Sequence, residues 1–427
     1  MRRTTRLGAY VASAALTLSG LTLIGVAPAQ AASDPVPRQT AASWLGGQLN
    51  GEGLMYNKQY DFVDYGLSID AALALDAIGG HGTEVQKTSD GLAANINAYI
   101  TGGQWAPDDI YSGSVAKAAV LAGVAGDDPT SFGGVDLIQT LEARVATAAP
   151  IAGRLEDKGS ADYANVLGQA LAARALDKQG SARADEVTDF LLQQQCGSGY
   201  FRLNFAKSKS AAQGCVEGSD APDTDATAFA LIQLADQSSD ATVASALTKA
   251  RAWLISQQQC DGSFGGGTTT EGANANSTGL VAWAFGDTPA SRQAATWLRG
   301  RQATAADSGN GLATETGAIA YDDSGLAAGR ADGITDSTAD QWRRATAQAA
   351  PGMAWFSADP TPALNLSGPS GYLEAGTKTV LTTSGAGEGT VLCVTGPGVN
   401  ETGVTDDAGL DSSVTLPAGT SARVYTV

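Results

Sequence analysis

The chain has 427 residues, more than a single ordinary domain needs. Its 44 acidic residues against 26 basic ones give a net charge of −18, which argues against nucleic acid and anionic lipid as partners. With one histidine and four cysteines that are read below as disulfides, no ligand set is left for a zinc centre, so neither metal nor cofactor is expected.

In chain order, Arg2, Arg3 and Arg6 precede an apolar run over residues 11–26, and Ala29-Gln30-Ala31 follows as a small-x-small site. This three-part pattern predicts a signal peptide at 1–31 and an exported chain. The run is interrupted by Ser13, Thr17, Ser19, Gly20 and Thr22 and is short for a bilayer span, so no membrane anchor is expected in the mature chain. None of the acidic residues lies in this segment, and its loss makes the remainder more acidic still.

A repeat organises residues 32–357. Trp253-Leu254 leads through Gln257-Gln258-Gln259 to Gly262-Ser263-Phe264, and Phe190-Leu191 leads likewise through Gln195 to Gly199-Tyr200-Phe201. A third copy begins at Trp297-Leu298 and reaches Gln302. Such self-similarity marks stacked supersecondary units. Six units follow from it, each a first helix, a Gly-rich turn and a second helix. The first helices centre on Trp44-Leu45, Tyr99-Ile100, residues 137–141, Phe190-Leu191, Trp253-Leu254 and Trp297-Leu298. The clearest buried stripe joins Leu247, Ala250, Trp253, Leu254 and Gln257 at helical spacing. The second helices start near Asp64, Tyr111, Ser160, Asp223, Asn274 and Thr335, mostly polar residues suited to satisfying the free N–H groups of a first turn.

Asp359-Pro360-Thr361-Pro362 falls in a linker at 358–363. Beyond it, residues 364–427 alternate short Val/Leu/Thr runs with Gly and Asp turns, at 379–383, 390–394, 413–416 and 422–426. That pattern predicts a small antiparallel β-sandwich of immunoglobulin-like size.

Four cysteines in an exported chain are read as two disulfides. Cys196 and Cys215 bracket one loop and are paired on that ground, a closure worth roughly 3 kcal/mol in the chain-entropy model. Cys260 and Cys393 pair by elimination only. Four cysteines allow three connectivities, and free thiols are the alternative.

Residues 249–264 resemble the glutamine-aromatic repeat of the terpenoid cyclase and protein prenyltransferase superfamily, with Phe264 where tryptophan is usual. The resemblance spans about 41–355 and implies an (α/α)6 toroid of six helix hairpins. It implies too that the repeat glutamine caps helix ends, stacks on the aromatic and ties neighbouring units together. A second segment, Asp223-Thr224-Asp225-Ala226-Thr227-Ala228, is similar to the Asp-x-Asp-Asp-Thr-Ala acid motif of the class II cyclases. Carried over, Asp225 is the proton donor and Asp223 the first aspartate. Ala226 replaces the last aspartate, and the one histidine, His81, stands in a Gly-Gly-His-Gly turn away from any matching context. Simple N-capping by Asp223 and Asp225 competes with catalysis, because Asn274 and Asn276 hold the same places one unit later and Asp64 a similar one in unit one.

Of the relatives sharing this fold, the zinc prenyltransferases lack their ligands here and the thioester proteins their Cys-Gly-Glu-Gln segment. Extracellular cobalamin carriers set a toroid before a β domain, which suggests a tetrapyrrole-like guest. Secreted α/α toroids can also cleave glycans between two carboxylates, for which Asp64, Asp70, Asp223 and Asp225 are candidates. The expectation is an exported, non-catalytic binding protein whose cavity takes a largely apolar small molecule. Asp64, Asp70, Asp223, Asp225, Asn274, Asn276 and Trp283 would rim that cavity. The alternatives are a degenerate class II cyclase acting through Asp225 and a glycan-active enzyme.

Overall fold

The computed structural model describes residues 33–358, 364–368, 378–396, 399–406 and 410–415. The expected signal segment, most of the linker and the strand expected at 422–426 lie outside the described residues.

The described chain is mainly helical. It runs α1 (Val36–Gly46), a hairpin of β1 (Met55–Asn57) and β2 (Phe62–Asp64), α2 (Tyr65–Ile78), α3 (Gly82–Ala94), α4 (Ile96–Ile100) and α5 (Ser112–Ala125). Then follow α6 (Leu137–Glu142), α7 (Val166–Lys178), α8 (Ala184–Leu192), α9 (Thr224–Leu234), α10 (Ala241–Gln257), α11 (Ala275–Phe285), α12 (Pro289–Arg299), α13 (Asp323–Asp332) and α14 (Ala339–Ala349).

Six of these helices pack in a closed succession: α2 on α5, α5 on α7, α7 on α9, α9 on α11, α11 on α14, and α14 back on α2. The others pack outside them, α1 and α3 against α2, α6 and α8 against α7, α10 against α9, and α12 against α11. Alanine explains the tight inner ring. Ala71, Ala72, Ala116, Ala118, Ala170, Ala172, Ala228, Ala230 and Ala282 are fully buried and let backbones approach.

The repeat supplies the joints. Gln195 Nε2 donates to Gly199 O at 2.9 Å and to Ala246 O of the next outer helix at 2.8 Å. Gln258 does the same with Gly262 O and Ala290 O at 3.0 and 2.9 Å. Gln302 reaches Pro37 O of α1 at 2.8 Å, so the last unit is tied to the first. The glutamines join units by hydrogen bonds to carbonyls. The aromatics of the outer helices turn to the preceding unit: Trp44 Nε1 donates to Glu315 at 2.7 Å and Trp297 Nε1 to Asp261 at 2.9 Å. Glycine at the turn is required by the same contact. Gly317 has φ +105°, and a Cβ there would stand 2.2 Å from Thr40 O of α1.

Two residues after that glycine, a backbone N–H bonds to the next inner helix. Met55 N donates to Ser68 Oγ, Phe201 N to Thr227 Oγ1, Phe264 N to Thr278 Oγ1 and Ile319 N to Thr346 Oγ1, all at 2.8–2.9 Å. Unit three has no repeat glutamine after α6. Gln169, on inner helix α7, takes over both tasks: its Oε1 accepts from Leu155 N, and its Nε2 bonds Gly153 O and Val187 O.

Three boundaries differ from the sequence reading. The outer helix of unit two is α3, and Tyr99-Ile100 lies in the short α4, because Asn95 interrupts the run with φ −125° and ψ 20°. The inner helix of unit three starts at Val166, since Asn165 supplies the cap that was expected near Ser160. In unit six α13 intervenes before α14.

The C-terminal residues form antiparallel sheets: β3 (Asn365–Ser367), β4 (Lys378–Ser384) and β7 (Leu410–Thr415) in the order β3-β4-β7, and a separate pair, β5 (Val391–Gly396) with β6 (Val399–Val404). Both disulfides form, Cys196–Cys215 and Cys260–Cys393. The second, with Gln293 Nε2 on Val391 O at 2.9 Å, fastens β5 to the helical ring.

Candidate functional site

Four of the six inner helices, α2, α7, α9 and α11, begin alike. Asp64 accepts from Leu67 N, Asn165 from Leu167 N and Gly168 N, Asp223 from Ala226 N, and Asn274 from Ser277 N, at 2.7–3.2 Å. Each is an N-cap, and Asp and Asn serve equally there. Two positions further on, the units diverge to Gly66, Leu167, Asp225 and Asn276. Capping does not dictate those residues.

Asp225 occupies the first turn of α9 and is half-buried. Its Oδ1 is shielded from water and has no hydrogen-bond partner among the described residues. Burial pushes this carboxyl up to about 6; Ser277 of α11 holds the shift back and the Asp223 charge adds to it. Burial raises Asp223 too, against the pull of the backbone N–H groups it caps. Tyr321 is raised by burial and by the charges of Asp225 and Asp322, so it shares this environment. Asn276 Oδ1 is likewise buried with no donor among the described residues.

A loop covers the two acids. Gly266 N donates to Thr270 O at 2.7 Å, and Thr270 N to Gly267 O at 2.9 Å. A Cβ on Gly267 would lie 2.2 Å from Asp223 Oδ2; one on Gly266 would lie 2.8 Å from Asp225 Oδ2 and 2.9 Å from Ser277 Oγ. Glycine lets the backbone rest on the carboxyls. The sequence reading missed this loop, Ser277 and Tyr321. The signal was present: Gly265-Gly266-Gly267 stands seven residues before the Asn274 cap in unit five, and no other unit has three consecutive glycines in the stretch before its cap.

Thr268 of that loop and Asp223 also line a cleft of about 740 Å³. It opens at the starts of α7 and α9, under the segment 202–209. Arg154, 5% exposed, bonds Asp162 at 3.0 Å and stacks on the Phe205 ring at 5.0 Å. Arg202, equally buried, is held by Gln194, Gln213 and Asp220. Lys209 pairs with Glu156 and Asp162, while Lys207 stands at the edge with no ion pair among the described residues. A largely apolar pocket was expected; this cleft is charged, with Tyr163 and Phe205 as its aromatic surface. The alanines and leucines of the inner helices are spent on packing the ring.

The remaining predicted residues lie elsewhere. Asp64 Oδ2 accepts from Arg344 Nη2 of α14 at 2.6 Å. Asp70 of α2 pairs with Lys117 of α5 at 2.6 Å, and Lys117 also donates to Gly66 O at 2.9 Å. Burial opposes the Lys117 charge, but Asp70 and its neighbours outweigh that and keep the ammonium above its usual value. Asn274 is 1% exposed, and Trp283 packs half-buried toward the far end of α11. Asp64 and Asp70 are therefore ion-paired and stand three helices round the ring from Asp223 and Asp225. Among the described residues no cluster of His, Cys, Asp or Glu is arranged to hold a metal, and no helix is long and apolar enough to cross a membrane.

No protein-family model matches the chain, and no curated protein does. Solved structures do. The apo type II terpene cyclase MstE from Scytonema superposes with a TM-score of 0.51 at 14% identity, over 75% of this chain and 96% of that one. A variant of MstE in complex with geranylgeranyl dihydroxybenzoate, its substrate, gives 0.51 at 15% identity over the same shares. The fold is the terpenoid cyclase-like α/α toroid. At this identity the likeness concerns the fold alone.

Proposed function

We propose that this chain is an exported binding protein in which six helix hairpins, over residues 32–357, close around a centre. Residues 1–31 act as the signal peptide, 358–363 as linker, and 364–427 as an immunoglobulin-like sandwich fastened by Cys260–Cys393. A small molecule binds at the end where the inner helices start. The cleft of about 740 Å³ carries this reading, because its size suits an organic ligand and its buried arginines are already held in place. Its mixed lining favours a guest with both a planar or apolar part and polar groups. The two disulfides support export. Native mass spectrometry of the protein purified from its producer should show a retained mass; a bare chain under gentle ionisation sinks the reading.

A second reading is favoured by Asp225 itself. A carboxyl raised to about 6, with one oxygen unpartnered, can hold a proton and deliver it to an electron-rich carbon. The bond from Asp225 oxygen to hydrogen breaks as a carbon–hydrogen bond forms; a second double bond of the substrate attacks the resulting carbocation to close a ring, the cation this leaves loses a proton to water, and the carboxylate is reprotonated from solvent. Ser277 and Tyr321 would steady the carboxylate left behind. MstE, which shares the fold, takes a geranylgeranylated aromatic acid. Turnover of such a polyprenyl arene, falling as pH rises through about 6 and lost at least a hundredfold in Asp225→Asn, would establish acid catalysis. No turnover, or turnover unchanged by the substitution, removes it.

A further inference from the structure

Five aromatic side chains stand in water: Tyr56, Tyr60, Phe62, Trp105 and Tyr163. Trp105 is 89% exposed and Tyr163 70%. Among the described residues they are the only aromatics that are so exposed, and all five lie on connections from an outer to an inner helix. Tyr56, Tyr60 and Phe62 belong to the β1–β2 hairpin between α1 and α2, Trp105 to the stretch from α4 to α5, and Tyr163 to that from α6 to α7. Units one, two and three are consecutive in the ring. The rings thus form an arc along the end where the inner helices begin, and its last member, Tyr163, lines the cleft.

These loops are built to hold their rings outward. The Trp105 loop is clamped by Gly102 N on Ala106 O at 3.0 Å and Ala106 N on Gly102 O at 3.2 Å. A Cβ on Gly102 would fall 2.5 Å from Ala106 Cβ, so the clamp is close. Tyr163 N is held by Asp157 at 2.9 Å, and its ring meets the edge of Tyr111 at 6.4 Å. In the hairpin, Tyr60 N bonds Asn57 at 3.1 Å and Tyr56 donates its hydroxyl to Asp61. No packing within the ring uses the exposed faces. Aromatic faces left in water on three successive units, with no packing role, offer a repeated surface for a partner.

Its spacing selects the partner. The rings are separated by carboxylates, Asp61 in the hairpin and Asp108 and Asp109 beside Trp105, so the arc is not one continuous apolar patch for a protein. The net charge of −18 repels polyanions and anionic membranes. A neutral sugar fits both features: its C–H face stacks on an aromatic ring, and its hydroxyls donate to neighbouring carboxylates. We propose that this arc binds an extended neutral polysaccharide, laid across units one to three with Trp105 at its middle. This surface extends away from the small-molecule cleft proposed above and shares only Tyr163 with it, so Trp105 reports on the polysaccharide alone.

The test is affinity electrophoresis of the full chain in native gels containing soluble β-glucan, xylan or galactomannan. At least one glycan should retard the protein. Trp105→Ala should weaken retardation at least fivefold, Trp105→Phe should retain most of it, and Trp105→Ala with Tyr163→Ala should abolish it. All variants should keep the wild-type melting temperature, since neither ring supports the core. Absence of retardation by every glycan, or retardation indifferent to both rings, overturns the proposal. So does Trp105-dependent co-sedimentation with phosphatidylcholine vesicles in place of glycan binding, which would assign the arc to a membrane surface.

Discussion

Two sides of the ring treat their carboxylates in opposite ways. Where α2, α5 and α14 meet, Asp64 and Asp70 are each matched by a cation, Arg344 and Lys117, at 2.6 Å. Across the ring, where α9 meets α11, Asp225 has a hydroxyl neighbour and an acidic one but no cation, and it rises to about 6. The first side uses charge to join helices. The second leaves charge uncompensated, an arrangement typical of functional sites and unfavourable to stability. The same residue type at comparable depth thus serves structure on one side and chemistry on the other, and the partner decides which.

The largest effect should come from breaking a pair on the structural side. Lys117→Met leaves Asp70 beside α5 without its contact cation, Arg344 acting only at longer range, and frees the Gly66 carbonyl; it should lower stability by about 3 kcal/mol. Both side chains keep some solvent contact, which places the loss at the low end for a buried pair. Adding Asp70→Leu should recover most of it, because two apolar residues need no partner. Urea denaturation midpoints of the single and double variants measure this. If the double variant is as unstable as the single one, the pair is not what holds α2 to α5.

The sequence made the joints of the ring legible wherever the repeat kept its spacing. Gln195 and Gln258 each stand four residues before the glycine they bond, Gln302 fifteen before Gly317, and each bridges to the next outer helix. Unit three escaped because Gln169 does the same work from the opposite helix, and a pattern read along the chain does not register a partner swapped across space. The candidate site was half legible for a related reason. The similarity to a cyclase acid motif pointed to Asp223 and Asp225, but the cap and the acid look the same as letters. Only the geometry separates them: Asp223 holds Ala226 N, whereas Asp225 Oδ1 holds nothing. The loop over both has one local sign, the run Gly265-Gly266-Gly267, but which carboxyls it covers is set by contacts between units four and five.

A middle-sized effect tests the uncompensated side through pH. Asp225 rises from 3.8 to about 6 on folding, so between those values the folded state binds more protons than the unfolded one. Its contribution to stability is therefore full below about pH 4 and is lost as pH rises through 6. Asp225→Asn removes that dependence. The variant should match the wild type near pH 3.5 and exceed it by about 2 kcal/mol at pH 7.5, less than the full shift implies because the group is only half-buried. Denaturation curves across this range decide it, and a variant less stable than wild type at pH 7.5 would show that the carboxylate has a partner after all.

The smallest effect separates the two neighbouring acids. If Asp223 is chiefly a cap, Asp223→Asn should change stability by less than about 0.5 kcal/mol, because asparagine accepts the same N–H, as Asn274 does one unit later. Asp223→Ala should cost about 1 kcal/mol, the usual loss on removing a cap. Neither change should move the pH dependence by more than a small fraction, since Asp223 contributes the least of the influences acting on Asp225. Should Asp223→Asn shift that dependence toward the ordinary carboxylate range, the two acids would titrate as one coupled group. The site would then be a shared-proton pair, and the contrast across the ring would rest on two carboxyls instead of one.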